Sequence, residues 1–178
     1  MDKNIIIRQA IITDCYALSV LKREVWRTTY QGIYSKEKLE GYDVDKNKGI
    51  FENIISNPDI ELYVAECNKE LVGLMTVGKP FKLFDQYEQE VGLLYIRKDY
   101  QRNGLGKEFL NIAKRDVLSK GYSHFVISVN EKNDNAIEFY LAMGGSIVFE
   151  GNGQKRFLFT GGKNDICDDS LYNHEPNT

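Results

Sequence analysis

The chain has 178 residues, of which 42% are hydrophobic and 28% are charged, so it suits one domain with a buried core. Its net charge of −3 argues against a nucleic-acid partner or an anionic membrane surface, since both usually require a basic face. The cysteines Cys15, Cys67 and Cys167 form no C-x-x-C pair, which argues against a disulfide framework and against a metal site. Because the sequence has no signal-peptide pattern and no apolar run of about 20 residues, we expect a cytoplasmic protein.

The first half of the chain predicts one strand, three helices and a β-hairpin. β-Branched runs indicate the strands, and apolar residues at helical spacing indicate the helices. Ser35 is a candidate cap for the short second helix. The predicted strands are residues 5–10, 62–66 and 70–77, and the predicted helices are residues 14–27, 36–39 and 46–55.

The second half predicts a strand over residues 90–97 that leads through a glycine-containing turn into a helix ending near Lys120. A strand over residues 124–129, a helix from Asn133 or Asp134 to about Met143, and a hairpin of residues 147–149 and 156–159 follow. We therefore expect an α/β fold, with a mixed, mostly antiparallel sheet of six or seven strands and helices on both faces. Residues 1–160 are expected to form a single domain and residues 161–178 a mobile tail.

The turn after the central strand reads Gln101-Arg102-Asn103-Gly104-Leu105-Gly106-Lys107. Backbone N–H groups at a helix start have no intrahelical partner, and the helix dipole adds positive potential, so this turn predicts a phosphate site. It is not a Walker loop, because Gln101 replaces the first glycine and Glu108 follows the lysine. It is not a dinucleotide fingerprint either, because Phe109 stands at the third glycine position.

The pattern Gln-x-x-Gly-x-Gly after an apolar strand resembles the acetyl-CoA pyrophosphate loop of the GNAT superfamily of N-acetyltransferases. A second segment, residues 129–144, is similar to the pattern V-x-x-x-N-x-x-A-x-x-F-Y-x-x-x-G of the same family. The hairpin over residues 61–77 and the opening over residues 7–14 also resemble it, so the likeness extends from about residue 5 to residue 159.

The resemblance implies acetyl-CoA as acetyl donor, two splayed central parallel strands, and a role for each matching residue. Asn133 would hydrogen-bond the cofactor arm, and Tyr140 would stand near the sulfur and protonate the leaving thiolate. A backbone N–H at the strand end could also stabilise the oxyanion. The strand-end residues that would pair with the pantetheine arm are Leu94, Tyr95 and Ile96, and the pyrophosphate-loop residues are Gln101, Arg102, Asn103, Gly104, Leu105, Gly106 and Lys107.

The expected chemistry needs a base and an acid. An alkyl amine with a pKa near ~10 is about 99.9% protonated at neutral pH, so a group or a water chain must take its proton. Glu90 is our candidate base, because it starts the central strand and is expected on the same face as Gly92, Leu94 and Ile96. The substitute bases are Glu88, Asp85 and Glu66.

Several assignments have a structural alternative. Tyr140 keeps its proton at pH 7 and suits the acid role, and its alternative is to pack in the core with its helix. Asn133 could be an N-cap as well as a cofactor ligand. Trp26, Tyr30 and Tyr34 could wall an acceptor pocket, or Trp26 could pack the first helix on the sheet. Relatives usually carry an aromatic residue at the position of Gly145, so we expect a less filled corner there.

The sequence therefore predicts direct acetyl transfer from acetyl-CoA to a primary amine, with a small amine or polyamine favoured. A protein N-terminus or lysine is the nearest rival acceptor. From other classes, an acyl-CoA sensor without turnover and a nucleotide-dependent phosphotransferase are the alternatives. No metal, nucleic acid or membrane is expected to take part, and a homodimer is an expectation by analogy with relatives.

Overall fold

A computed structural model describes residues 4–82 and 86–161; within these ranges it contains seven strands and five α-helices. Residues 162–178 of the predicted tail and the substitute base Asp85 lie outside the described residues. The strands are β1 (Ile5–Gln9), β2 (Ile60–Cys67), β3 (Glu70–Gly78), β4 (Glu90–Ile96), β5 (His124–Asn130), β6 (Ser146–Gly151) and β7 (Gln154–Thr160). The helices are α1 (Cys15–Thr29), α2 (Lys36–Glu40), α3 (Val44–Ile55), α4 (Leu105–Ser119) and α5 (Asp134–Ala142).

The strands form one sheet in the order β1-β2-β3-β4-β5-β7-β6, and every neighbouring pair except β4 and β5 is antiparallel. The parallel pair β4 and β5 has one registered pair, Glu90 with Val126. Beyond that pair the two strands diverge toward their carboxyl ends. The predicted mixed sheet with two splayed parallel strands is confirmed.

Helices cover both faces of the sheet, as predicted. On one face, apolar residues of α4 and α5, such as Phe109 and Tyr140, pack on β5 and β7. On the other face, α1 and α3 bury residues such as Leu18 and Phe51 against β2 and β3. Burial of these apolar stripes stabilises the fold by roughly 25 cal/mol per Å² of surface removed from water.

Side-chain caps fix where the helices begin. The Ser35 hydroxyl accepts from the Lys38 N–H at 3.3 Å, which confirms the predicted cap of α2. Helix α3 starts two residues earlier than expected, because Asp43 accepts from the Lys46 N–H at 2.9 Å and thereby includes Lys46 in the first turn. Asn133 caps α5 by accepting from the Ala136 N–H at 3.3 Å.

The corner at Gly145 differs from the expectation. A Cβ atom at Gly145 would lie 2.7 Å from Cζ of Phe159, so a ring from β7 already fills this space. The expected gap is therefore wrong, because an aromatic side chain from another element occupies the position that a neighbouring aromatic residue fills in relatives.

Candidate active site

The backbone of β4 has an open edge where it separates from β5. The Arg97 N–H donates to the Val72 carbonyl at 2.9 Å, so alternate residues of β4 face β3. By the same alternation, the N–H and C=O groups of Leu94 and Ile96 point away from β3, toward the gap beside β5. The Gln101 side-chain amide donates to the Ile96 carbonyl at 2.9 Å and ties the strand end to the following loop. The Leu94 backbone groups and the Ile96 N–H are left to pair with an extended ligand.

The loop after β4 has the backbone of an anion cradle. Gly104, at the N-cap of α4, has a φ of +84°, a left-handed conformation that glycine adopts without strain. Arg102 also has a positive φ of 59°. The N–H groups of Leu105, Gly106 and Lys107 are the first donors of α4 and have no intrahelical acceptor.

The two loop glycines serve different needs. A Cβ at Gly104 would meet no atom within 4 Å, so the backbone angle rather than space favours glycine there. A Cβ at Gly106 would lie 2.9 Å from Cζ of Phe139, so glycine there lets α4 approach α5 closely. Arg102 and Lys107 are exposed, and neither forms an ion pair with any residue that the structure describes. The loop therefore offers oriented amides and two cations to a phosphate group.

A bulge in β4 determines where Glu90 points. The register between β3 and β4 shifts over the stretch from Thr76 to Gly78. Val91 lies in the same core as Leu94 and Ile96, although strict alternation would place it on the opposite face. The neighbouring Glu90 consequently points to the face covered by α1 and α3. The expectation that Glu90 shares a face with Leu94 and Ile96 is wrong, because the extra residue of the bulge reverses the alternation.

The Glu90 carboxylate is buried, with 7% of the residue exposed. Burial raises the pKa of Glu90 above its usual value, while the Phe81 N–H, which hydrogen-bonds the carboxylate, and the Arg156 charge oppose part of this rise. A buried carboxylate with a raised pKa accepts a proton more readily than a solvated one. Sequence reasoning missed Phe81 and Arg156, since they come from a loop and from β7.

The other carboxylates proposed as substitute bases are placed differently. Glu66 accepts from Arg8 at 2.9 Å in an ion pair between β1 and β2. Glu88 is exposed. Among the described candidates, Glu90 alone combines burial with a position beside the β4–β5 gap.

Tyr140 lies in α5 with 6% of the residue exposed, and its ring packs on Phe157 and Phe159 at centroid distances of 5.5 and 6.2 Å. Burial raises the pKa of Tyr140 well above its usual value, so the phenol is fully protonated at neutral pH. The side chain is therefore part of the core between α5 and β7.

Aromatic residues of α1 and the following loop lie on the other side of the gap. Tyr30 and Tyr34 stack at a centroid distance of 4.8 Å, and Trp26 contacts both at 5.6 and 5.7 Å. The Trp26 Nε1–H donates to the Tyr95 hydroxyl at 3.2 Å, which joins α1 to β4. The two interpretations of Trp26 are thus compatible: it anchors the helix and lies in the aromatic cluster.

The Tyr95 side chain was missed by sequence reasoning, which considered only the backbone at this position. Because side chains alternate along a strand, the Tyr95 side chain lies on the opposite face of the sheet from those of Leu94 and Ile96. This alternation could have predicted that Tyr95 faces α1. A cavity of about 560 Å³ lies outside this cluster and is lined by Tyr34, Arg27 and Glu40, among others. Tyr34 therefore belongs both to the aromatic cluster and to the lining of this cavity.

Two further expectations concern absences. No helix within residues 4–82 and 86–161 is both long enough and apolar enough to cross a membrane. The described residues contain no group of three or more His, Cys, Asp or Glu side chains arranged for a metal ion. The absence of a metal from the reaction stays a prediction.

The parallel strands β4 and β5 open beside the glycine-containing start of α4, which is the arrangement that the sequence resemblance implied for an acetyl-CoA-dependent transferase. The model of the "Acetyltransferase (GNAT) family" matches residues 23–144, and the chain belongs to this family. The predicted family and the prediction of an acetyltransferase enzyme are confirmed.

Individual relatives agree with this assignment. The chain is 29% identical over 143 residues to the spermidine N(1)-acetyltransferase of Thermoplasma acidophilum, covering 78% of this chain and 86% of the relative. It is 26% identical over 148 residues to the uncharacterized N-acetyltransferase YuaI of Bacillus subtilis, covering 82% and 83% of the two chains.

Among solved structures, the PaiA N-acetyltransferase of T. acidophilum in complex with coenzyme A superposes with a TM-score of 0.78 at 26% identity. The match covers 88% of this chain and 99% of that one. An acetyltransferase from Thermus thermophilus superposes with a TM-score of 0.65 at 20% identity, covering 88% and 96% of the two chains, and supports the fold alone.

Proposed function

We propose that the protein transfers the acetyl group of acetyl-CoA to the primary amine of a small molecule, with a polyamine as the first candidate acceptor. The observation that carries this proposal is the open edge of β4, which runs directly into the glycine-rich start of α4. The relative named as a spermidine acetyltransferase and the neighbour solved with coenzyme A support the acceptor class and the donor.

The residues present fit a coenzyme A molecule. The N–H groups from Arg102 to Lys107 would hold its diphosphate, and the two cations would add charge. The Leu94 backbone and the Ile96 N–H would pair with the amide groups of the pantetheine arm. Asn133 uses Oδ1 to cap α5, which leaves its side-chain N–H groups as donors toward the same arm. When bound, the coenzyme supplies an activated acetyl thioester at the gap between β4 and β5.

The proposed reaction places a base and an acid on opposite layers of the molecule. Glu90, on the α1 and α3 face, takes the proton that the acceptor amine must lose. The amine nitrogen then forms a bond to the acetyl carbon and releases its second proton to solvent, and the N–H of Leu94 or Ile96 can donate to the carbonyl oxygen as it becomes negative. As the carbon–sulfur bond breaks, Tyr140 gives its proton to the sulfur, and it regains a proton from solvent after the products leave. Transfer is direct, so no covalent acyl-enzyme is required.

The acceptor is proposed to enter from the side of Trp26, Tyr30 and Tyr34. Aromatic rings bind ammonium groups through cation–π attraction, and the ammonium of Lys38 already lies 3.6 Å from the centroid of the Tyr34 ring. This contact supports the proposal that the aromatic cluster can bind an alkylammonium group, which is the chemistry of a polyamine.

Release of the coenzyme A thiol over a panel of amines tests the proposal. We expect acetyl-CoA-dependent release with spermidine and simple diamines, and slower release with peptides carrying a free N-terminus or lysine. Release with peptides alone would overturn the small-amine assignment. Coenzyme A binding without release from any amine would instead favour a sensor, and competition by ATP, which we do not expect, would favour the phosphotransferase.

A further inference from the structure

The aromatic ring of Phe81, in the loop after β3, lies on the main chain of β4 at Gly92. A Cβ atom at Gly92 would overlap this ring, with Cδ2 of Phe81 only 2.7 Å away, so the ring contacts the glycine directly. The loop is anchored just before Phe81, because the Lys79 N–H donates to the Asp59 carbonyl at 2.9 Å and Pro80 is buried. Phe81 itself is 48% exposed. One side of the ring is therefore held on the strand, and the other is open to solvent.

This contact lies on the face of the sheet that α1 and α3 cover. Both sequence neighbours of Thr76 belong to the core beneath α4 and α5, so the Thr76 side chain points to the opposite face. A Cβ at Gly92 would lie 3.3 Å from the Thr76 Oγ1, so Gly92 turns toward the same face. Because of the bulge in β4, Glu90 also points to this face. The Phe81 ring therefore lies on the side where the proposed base acts.

Gly92 lies between the groups that the proposed reaction uses. The Leu93 N–H donates to the Thr76 Oγ1 at 2.9 Å, which holds the bulge of β4 in place. Along the strand, the proposed base Glu90 lies two residues before Gly92, and Leu94, a candidate oxyanion donor, lies two residues after it. Each of these steps spans about 6–7 Å of strand. An amine placed between base and oxyanion donor would therefore bring its first carbon atoms against the ring on Gly92.

The aromatic cluster of α1 lies further along the same face. Tyr95, which accepts from the Trp26 Nε1–H at 3.2 Å, packs with the core beneath α1 and α3 and is three residues beyond Gly92. This separation corresponds to about 10 Å of strand. The Phe81 ring and the aromatic cluster thus stand at two ends of one stretch of β4, and an extended aliphatic chain can run between them.

We propose that Phe81 is an acceptor-binding residue whose ring contacts the methylene chain next to the reacting amine and selects amines that carry such a chain. This inference rests on the proposed acetyl transfer to a small amine. Removing one methylene group from water in an apolar contact strengthens binding about fourfold at most. A chain of several methylene groups between two ammonium groups is the chemical feature that this contact recognises.

The dependence of the rate on acceptor length tests this contact. At saturating acetyl-CoA, the wild-type kcat/KM should rise about two- to fourfold for each added methylene from ethylenediamine through putrescine to cadaverine. Phe81→Ala should lower kcat/KM about 10- to 30-fold for cadaverine and less than about threefold for ethylenediamine, with the KM for acetyl-CoA changed less than about twofold. An effect transmitted through Glu90 would instead lower the rate equally for every diamine.

Gly92→Ala tests the same contact without removing the ring. The backbone of Gly92 lies outside the left-handed region, so alanine can adopt it, and the nearest atoms that its Cβ would meet lie at the end of the Phe81 side chain, which can rotate away. The added methyl should displace the ring and reproduce the length-dependent loss of Phe81→Ala. In the Phe81→Ala background, Gly92→Ala should change kcat/KM less than about twofold, because the ring it displaces is gone.

Tyr16→Ala is the matched control. Tyr16 is an aromatic residue with 58% exposure at the start of α1, about 15 Å along the helix from Trp26. This variant should keep the wild-type dependence on acceptor length, and thermal melts of all variants report whether they fold.

A wild-type length dependence in a folded Phe81→Ala, or equal losses for every diamine, would overturn the inference. Additive losses from Phe81→Ala and Gly92→Ala would overturn it as well. In each of these cases acetyl transfer would still stand on thiol release by the wild-type protein. If the wild-type protein released no thiol with any amine, the proposed function would fall together with the inference, so the two failures are distinguishable.

Discussion

Replacing Glu90 by glutamine should abolish the proposed base while keeping the shape of the side chain. The residue is 7% exposed and lies at the β4–β5 pair from which the two strands diverge. A positioned general base typically contributes about 10²- to 10⁴-fold to the rate. The kcat of Glu90→Gln should therefore fall by the same factor. At 1.36 kcal/mol for each factor of ten, this corresponds to an activation barrier that is higher by about 2.7–5.4 kcal/mol.

The same substitution should make the protein more stable at neutral pH. Burial raises the pKa of Glu90, so the folded state binds a proton over a pH range in which the unfolded state has released it. Stability therefore falls as the pH rises through this range, from the unfolded value of about 4.3 upward to the raised pKa in the folded state. Glutamine never ionises, so Glu90→Gln should raise the melting temperature more at pH 7 than at pH 4.

The assay is steady-state thiol release at saturating acceptor across a pH series, with melting curves at the same pH values. Wild-type kcat should fall as the pH drops through the raised pKa of Glu90, and this step should be missing in Glu90→Gln. Glu88→Gln makes the same chemical change at an exposed position two residues away and should alter neither property. A Glu90→Gln variant that keeps kcat within a few-fold, or retains the acid step, would refute the base assignment.

Tyr140→Phe should lower kcat about 100-fold with little change in the affinity for acetyl-CoA, measured by steady-state kinetics and calorimetry; an unchanged kcat would remove its acid role. Lys107→Ala should raise the KM for acetyl-CoA about fivefold, and the increase should be smaller at high salt because salt screens the charge. Lys114→Ala, two turns further along α4, is the control and should not change the KM. Gly145→Ala should destabilise the fold by about 1–3 kcal/mol in urea denaturation, because its Cβ would lie 2.7 Å from an aromatic ring of β7. At Gly49 in α3 a Cβ would meet nothing within 4 Å, so Gly49→Ala should instead stabilise the fold by about 0.5–1 kcal/mol. A loss of stability in Gly49→Ala as large as that in Gly145→Ala would contradict this explanation from packing.

Features determined by local chemistry were predictable from the sequence. Ser35 and Asn133 cap helices because their side-chain oxygens reach an N–H three residues away, a contact that needs no other part of the chain. The turn at Asn68 and Lys69 joins β2 and β3 with φ values of 52° and 67°, as expected for a two-residue hairpin loop. The glycine-containing turn also begins α4 at Leu105, where the pattern placed a helix start.

Features that depend on distant contacts were not predictable. The bulge in β4 opposite the stretch between Thr76 and Gly78 reverses the face of Glu90, and a single strand sequence does not show where its partner strand shifts register. The hydrogen bond from Trp26 to Tyr95 joins residues 69 positions apart, so neither sequence neighbourhood indicates it. The ring of Phe159 fills the corner at Gly145 for the same reason.

Calorimetric titration of the purified protein with coenzyme A and with pantetheine, which lacks the diphosphate, tests the central claim most directly. Backbone amides at the start of α4 should bind the diphosphate, so coenzyme A should bind measurably and pantetheine much more weakly. Absence of coenzyme A binding, or equal affinity for the two compounds, would contradict the account.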